Sequence, residues 1–297
     1  MRILILGVTG MLGHKLWQRL GARFPDTLGT MRAKRGDFAT CGLFTTERAL
    51  DCIDAARFAD VEAVLNRLRP DCIVNCIAVT KRREKALDPL TCIELNAALP
   101  HRLGEWAGRN GARVIHFSTD CVFDGRVGSY TEDSLTSAED LYGRTKALGE
   151  VAGPGCLTLR TSFIGREIAS GTELLEWFLA QRGKRIKGYR CAYYTGVSTL
   201  YMADLVADII EHRPRLQGLY QVAAPSIDKY ALLGLAKSAY NVEIDIEPDD
   251  SVVMRRNLDG SRFERETGIR VPNWAHMMQA LASDHTPYDR WSKNDAG

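Results

Sequence analysis

Gly7-Val8-Thr9-Gly10-Met11-Leu12-Gly13 has the make-up of a phosphate-binding turn. It follows a short apolar run, Arg2–Leu6, and leads straight into a helical stretch, Gly10–Arg23. Glycines there let backbone N–H groups approach a pyrophosphate, and the helix N-terminus adds partial positive charge. A second constellation is Tyr142-Gly143-Arg144-Thr145-Lys146. Side chains four apart on a helix share a face, about 5–6 Å apart at Cβ. An ammonium that close favours the phenolate and lowers a tyrosine pKa from about 10, so the pair can move a proton near neutral pH. A third is Phe117-Ser118-Thr119-Asp120-Cys121-Val122-Phe123-Asp124-Gly125, with two adjacent hydroxyls at a strand end. Taken alone, the glycines also fit a plain tight turn, and the Tyr/Lys pair a solvent-facing helix.

These groups have to be placed by a scaffold. The strand-like runs Arg2–Leu6, Thr27–Met31, Asp71–Val79, Arg113–Ser118 and Cys156–Thr161 alternate with helical stretches at Gly10–Arg23, Val61–Leu68, Leu90–Arg109 and Glu139–Ala152. Strands apolar throughout and separated by helices predict a parallel sheet covered on both faces, an α/β, doubly wound pattern. Ligands of such sheets sit at the carboxyl ends of the strands. After Ser162 the alternation loosens: Glu173–Gln181 and Thr199–Glu211 read as amphipathic helices, and Val242–Glu247 as an acidic strand-like piece. The expected division is a dinucleotide-binding domain over 1–162, which also receives part of 189–223. A smaller substrate-binding lobe would span 163–297, with the polar stretch Ser283–Gly297 expected to be mobile.

The 297 residues include 39 basic and 37 acidic side chains, a net charge of +2, with 45% hydrophobic residues. That is ordinary globular composition and argues against a general nucleic-acid binder. No apolar run approaches the roughly 18 residues of a membrane helix, and the N-terminus lacks the regions of a signal peptide, so the expected location is the cytoplasm. Eight scattered cysteines, without CxxC pairing or a zinc-type histidine pair, predict neither a metal site nor disulfides. Cys72 and Cys76 lie in apolar surroundings, where a reduced thiol packs as a small core residue.

The GxxGxxG spacing resembles the short-chain dehydrogenase/reductase superfamily, particularly its extended branch with a Rossmann-type sheet. The run from Phe117 to Gly125 is similar to the STDYVFDG segment of the dTDP-4-dehydrorhamnose reductase family. Asn75-Cys76-Ile77-Ala78, Asn96 within Ile93–Ala97, and Leu159-Arg160-Thr161-Ser162 match further motifs in the expected order. The resemblance implies that Thr119 is the hydroxyl of a catalytic triad, with Ser118 as its rival. Tyr142 would be the acid, and Lys146 its electrostatic partner and a ribose ligand. It implies that Gly7, Thr9, Gly10, Met11, Leu12 and Gly13 line the pyrophosphate, that Asp54 and Ala55 contact adenine, that Ala78 lies under the cofactor, and that Asp120 faces the sugar. Cys121 departs from the family's usual tyrosine, Phe163 stands where a tryptophan is common, and Arg82 and Arg83 make a usually less basic loop cationic. These four are expected on the substrate side.

The activity implied is NADPH-dependent reduction of the C4 keto group of a nucleoside-diphosphate-linked 4-keto-6-deoxy sugar, for polysaccharide precursors. NADPH is expected over NADH because no acid follows the second strand until Asp37, while Arg32 lies where a ribose-binding carboxylate would otherwise sit. NADH use stays open, as does a homodimer. One rival is an epimerase or dehydratase of the same superfamily, although Thr119-Asp120-Cys121 offers only one of the acids a dehydratase needs. Another is a non-catalytic partner resembling the regulatory subunit of methionine adenosyltransferase.

Overall fold

The computed structural model describes residues 1–80, 88–169 and 171–291. Seven parallel strands form the main sheet: β1 (Ile3–Leu6), β2 (Thr27–Thr30), β3 (Ala49–Leu50), β4 (Cys72–Asn75), β5 (Arg113–Ser118), β6 (Cys156–Arg160) and β7 (Gly218–Gln221). Their spatial order is β7-β6-β5-β4-β1-β2-β3. The strands are apolar on both sides because both sides are covered. Ile3 and Ile5 pack with Leu16, Trp17 and Leu20 of the first helix (Gly13–Arg23), whereas Leu4 and Leu6 pack with Val61, Leu65 and Ile73 on the other face. Between β1 and β4 the order of strands reverses, and a crevice opens beyond their carboxyl ends.

Several elements are shorter than the sequence suggests. The first helix starts at Gly13, since Gly7–Leu12 remain in a turn closed by Gly10 N–H donating to Gly7 O. The strand expected over Asp71–Val79 ends at Asn75, where the chain leaves the sheet to border the crevice. The helix expected over Glu139–Ala152 spans Leu141–Leu148. The helix around Leu90–Arg109 is continuous across Pro89–Cys92, Ile93–Ala98 and Leu99–Asn110, but its middle piece is wound as a π turn.

Residues after Ser162 build small sheets beside the crevice. Phe163–Ile164 pairs with Val197–Ser198, Ala192–Tyr194 pairs with Ile227–Asp228 and Met254–Arg255, and Arg185–Tyr189 pairs with Asp245–Asp249. This part shares a core with the main sheet: Ile5, Leu16 and Leu159 belong to the same apolar cluster as Phe178, Leu232 and Leu281. The helix Thr199–His212 packs on the first helix, and the chain then returns to the main sheet as β7. The start of the polar tail packs against the rest of the chain. Asp284 pairs with Lys15, and Tyr288 is buried in the short helix Tyr288–Trp291. Residues 292–297 of that stretch lie outside the described residues.

Candidate active site

A cleft of about 390 Å³ occupies the crevice. Gly10, Met11 and Leu12, then Ala78 and Phe117–Cys121, and then Tyr142, Lys146 and Phe163 line it. Gly7 has φ +84°, and a Cβ on Gly13 would stand 2.0 Å from Gly7 O, so the turn closes only with glycine at both places. The first helix carries no side-chain cap and no acid in its first turn. Its leading N–H groups therefore lack the usual side-chain acceptor beside the cleft, which suits an anion such as a pyrophosphate. Thr9 is half-buried in the same turn. Asp54 and Ala55 follow β3 at the carboxyl edge but do not line the cleft itself. Arg32 is exposed beyond the end of β2. Arg82 and Arg83 lie outside the described residues.

Thr119 stands just past β5, and its hydroxyl accepts from Cys121 N–H at 3.1 Å and donates to Asp120 Oδ1 at 3.1 Å. It also hydrogen-bonds the Tyr142 phenol. Asp140 begins the tyrosine's helix by accepting from Gly143 N–H at 2.8 Å, which fixes the turn that aims Tyr142 into the cleft. Ser118, the rival hydroxyl, is committed elsewhere: it donates to Glu150 Oε1 at 2.6 Å. Glu150 also grips Arg160 through two bonds of 2.8 and 2.7 Å.

Lys146 is buried, and its ammonium donates to Phe117 O at 2.6 Å. Burial pushes its pKa down to about 8, opposed by Glu150. The expected depression of the tyrosine pKa is not what the geometry gives. Burial, joined by Cys121, Asp120 and Glu173, drives the Tyr142 phenol above its ordinary range, and the Thr119 bond offsets only part of this. At neutral pH Tyr142 holds its proton.

The π turn carries Asn96. The Asn96 amide accepts from Val79 N–H at 2.8 Å and donates to Val79 O at 3.1 Å and Thr145 Oγ1 at 3.2 Å. One buried side chain thus ties the loop carrying Ala78 to the helix carrying Tyr142 and Lys146, and π turns of this kind often occur at functional sites.

The lobe completes the cleft with Glu167, Glu173, Tyr193, Tyr194, Lys229 and Arg256. Sequence reading missed all of them, because they come from loops and strand ends far apart in the chain with no spacing to link them. Arg256 donates from Nε to Phe123 O at 2.9 Å, and its Nη1 lies 3.7 Å from the Cys121 thiol. The place where the family usually has tyrosine is therefore bordered by a guanidinium. Phe163 meets Phe117 edge-on, with centroids 5.7 Å apart.

A glycine turn at the strand-order reversal, with a hydroxyl, tyrosine and lysine on the adjoining carboxyl edge, defines an NAD(P)-dependent oxidoreductase of the extended short-chain dehydrogenase/reductase class. Residues 1–241 match the RmlD substrate binding domain family, and the chain belongs to that family. A dTDP-4-dehydrorhamnose reductase of Salmonella typhimurium is 28% identical over 232 residues, covering 75% of this chain and 73% of the relative. The methionine adenosyltransferase 2 subunit beta of Xenopus tropicalis is 30% identical over 308 residues, covering 93% and 88%. In fold, the chain is similar to a dTDP-4-dehydrorhamnose reductase from Bacillus anthracis solved with NADP, at a TM-score of 0.77 and 18% identity, covering 94% and 98%.

Proposed function

We propose that this chain reduces the C4 keto group of a nucleoside-diphosphate-linked 4-keto-6-deoxy sugar with NADPH, in the cytoplasm, for polysaccharide precursor synthesis. The carrying observation is the Thr119–Tyr142 hydroxyl pair, held together in the cleft beside the uncapped helix and the buried Lys146. The bound dinucleotide supplies hydride. Tyr142 gives its phenolic proton to the C4 oxygen as negative charge develops there. Thr119, turning its hydroxyl proton away from Asp120, donates a hydrogen bond to the same oxygen and stabilises charge as it forms. Lys146, which lines the same cleft, would supply positive charge there and meet the ribose. Gly10, Met11 and Leu12 present the helix N-terminus to the pyrophosphate. Lys229 and Arg256 are the lobe's cations at the cleft, beside Glu167 and Glu173, and would pair with the diphosphate of the sugar nucleotide.

Relatives named for this chemistry support the reading, among them the Salmonella reductase and a dTDP-4-keto-6-deoxy-D-glucose reductase from Streptomyces niveus, 32% identical over 152 residues. A non-catalytic regulatory role has one observation in its favour, the 93% coverage by the Xenopus tropicalis subunit beta. The deciding experiment is NADPH oxidation against dTDP-, UDP- and GDP-linked 4-keto sugars. Turnover with one of them establishes the reductase. Cofactor binding without turnover of any establishes the binding protein.

A further inference from the structure

The residue after Gly13 is a buried histidine with both ring nitrogens engaged. His14 Nδ1 lies 2.9 Å from Gly10 O, and Nε2 lies 2.7 Å from the Tyr288 hydroxyl. Gly10 O can only accept, so Nδ1 carries the proton, Nε2 offers its lone pair, and the Tyr288 O–H donates. Burial keeps the ring neutral, with its pKa pushed down to about 4. Gly10 O therefore receives two bonds from one residue, His14 N–H at 3.1 Å and Nδ1–H at 2.9 Å. The phosphate-facing turn is braced from behind by a side chain that is itself oriented from 274 residues away.

The far partner is held just as firmly. The Tyr288 ring has Lys15 Nζ 5.0 Å and Arg166 Cζ 4.8 Å from its centroid, and it meets Trp291 edge-on. Lys15, also buried, bonds Asp284, Thr286 Oγ1 at 2.8 Å and Gln18 Oε1 at 2.8 Å. All but one of these partners belong to the C-terminal segment. Arg166 reaches Asp289 at 3.1 Å and Glu176 at 2.6 Å, and Glu176 in turn accepts from the backbone of Glu167, a cleft residue.

We infer that residues 284–291 are a strap that positions the dinucleotide turn, with Tyr288 acting through His14 on the Gly10 carbonyl. Tyr288 is a positioning residue and touches neither cofactor nor substrate. The inference rests on the dinucleotide binding proposed above. Because coupling is reciprocal, the bound dinucleotide must also hold the strap in place.

Two measurements on the full chain test it. Tyr288→Phe keeps the ring beside its cations and removes the hydroxyl, with its donation to His14 and its contact with Thr286 inside the strap. It should raise the NADPH Kd and KM about fivefold, the loss of one hydrogen bond, with kcat and the sugar-nucleotide KM unchanged. In the wild-type protein, saturating NADPH should slow amide exchange across 284–291. A strap that only stabilises the fold would lower the Tm of the variant, leave its Kd alone and show no change in exchange, and that result overturns the inference. Should the variant fail to accumulate, the wild-type exchange measurement decides alone. Wild-type protein that binds neither NADPH nor NADH would instead overturn the dinucleotide reading itself, and the strap's role with it.

Discussion

Lys146 Nζ stands 3.3 Å from His116 Nε2, with both side chains buried beneath the cleft. Asn75 Oδ1 accepts from Ile77 N–H at 3.1 Å, so its Nδ2 is the group that faces His116 Nδ1 at 3.2 Å and donates to it. The ring proton is thereby assigned to Nε2, on the side of the ammonium. Burial and Lys146 together hold His116 neutral, well below its ordinary pKa. Burial lowers the pKa of the lysine to about 8, and Glu150 offsets only part of this.

The first prediction concerns pH. Lys146 is cationic below about 8 and neutral above, so kcat/KM should fall as pH rises through about 8. Stability runs the other way. A lysine lowered from 10.5 costs the folded state its buried charge below about 8, and that cost is relieved as pH rises from about 8 towards 10.5. A rate profile flat to pH 10 would show that the ammonium is not needed.

Tyr142→Phe removes the proton donor but leaves the ring in its wall. Loss of a positioned acid typically costs 10²–10⁴-fold, so kcat should drop by about that factor while NADPH affinity stays nearly constant. Retention of more than about a tenth of wild-type kcat would remove Tyr142 from the proton-transfer step.

Arg32 is exposed at the end of β2, and among the described residues it makes no ion pair. Arg35, by contrast, folds back, with its guanidinium on Thr46 O and its N–H on Asp51. That leaves Arg32 and the exposed Lys34 as cations past β2, and of these Arg32 lies where a ribose-binding carboxylate would otherwise sit. Arg32→Ala should raise the KM for NADPH, leave that for NADH unchanged and narrow the ratio of the two kcat/KM values. Wild-type preference for NADH would refute the assignment.

The Arg160–Glu150 pair lies behind the site with little exposure, 2% for the arginine and 11% for the glutamate. Glu150→Ala leaves a buried guanidinium without its carboxylate, which typically costs about 3–5 kcal/mol. Denaturant unfolding should show that loss. A change under about 1 kcal/mol would mean that water or the Phe123 ring, 5.0 Å from Arg160 Cζ, compensates.

How much was legible in the sequence depended on distance along the chain. The glycine turn, β1 and the Tyr142/Lys146 spacing are local patterns, and local geometry fixes them. Thr119 was favoured over Ser118 only by resemblance; the structure supplies a physical reason, since Glu150 takes the serine hydroxyl. The tyrosine pKa was misjudged because spacing reveals proximity but not orientation, and the Lys146 ammonium turns to Phe117 O. The partners of Asp284 and Tyr288 were not legible, because nothing local in the polar tail points to Lys15 and His14, some 270 residues earlier. Arg256, Lys229 and Glu173 were invisible for the same reason.

The return of the chain to the main sheet has a consequence for biosynthesis. β6 is complete when residue 160 leaves the ribosome, but its outer neighbour, Gly218–Gln221, follows only after residues 161–217. At about 5–20 residues per second the nascent chain carries an unpaired, apolar strand edge for several seconds. Such an edge is a template for pairing with other chains. Slowed translation of 161–217 should therefore lower the soluble yield of a protein whose finished form is unchanged.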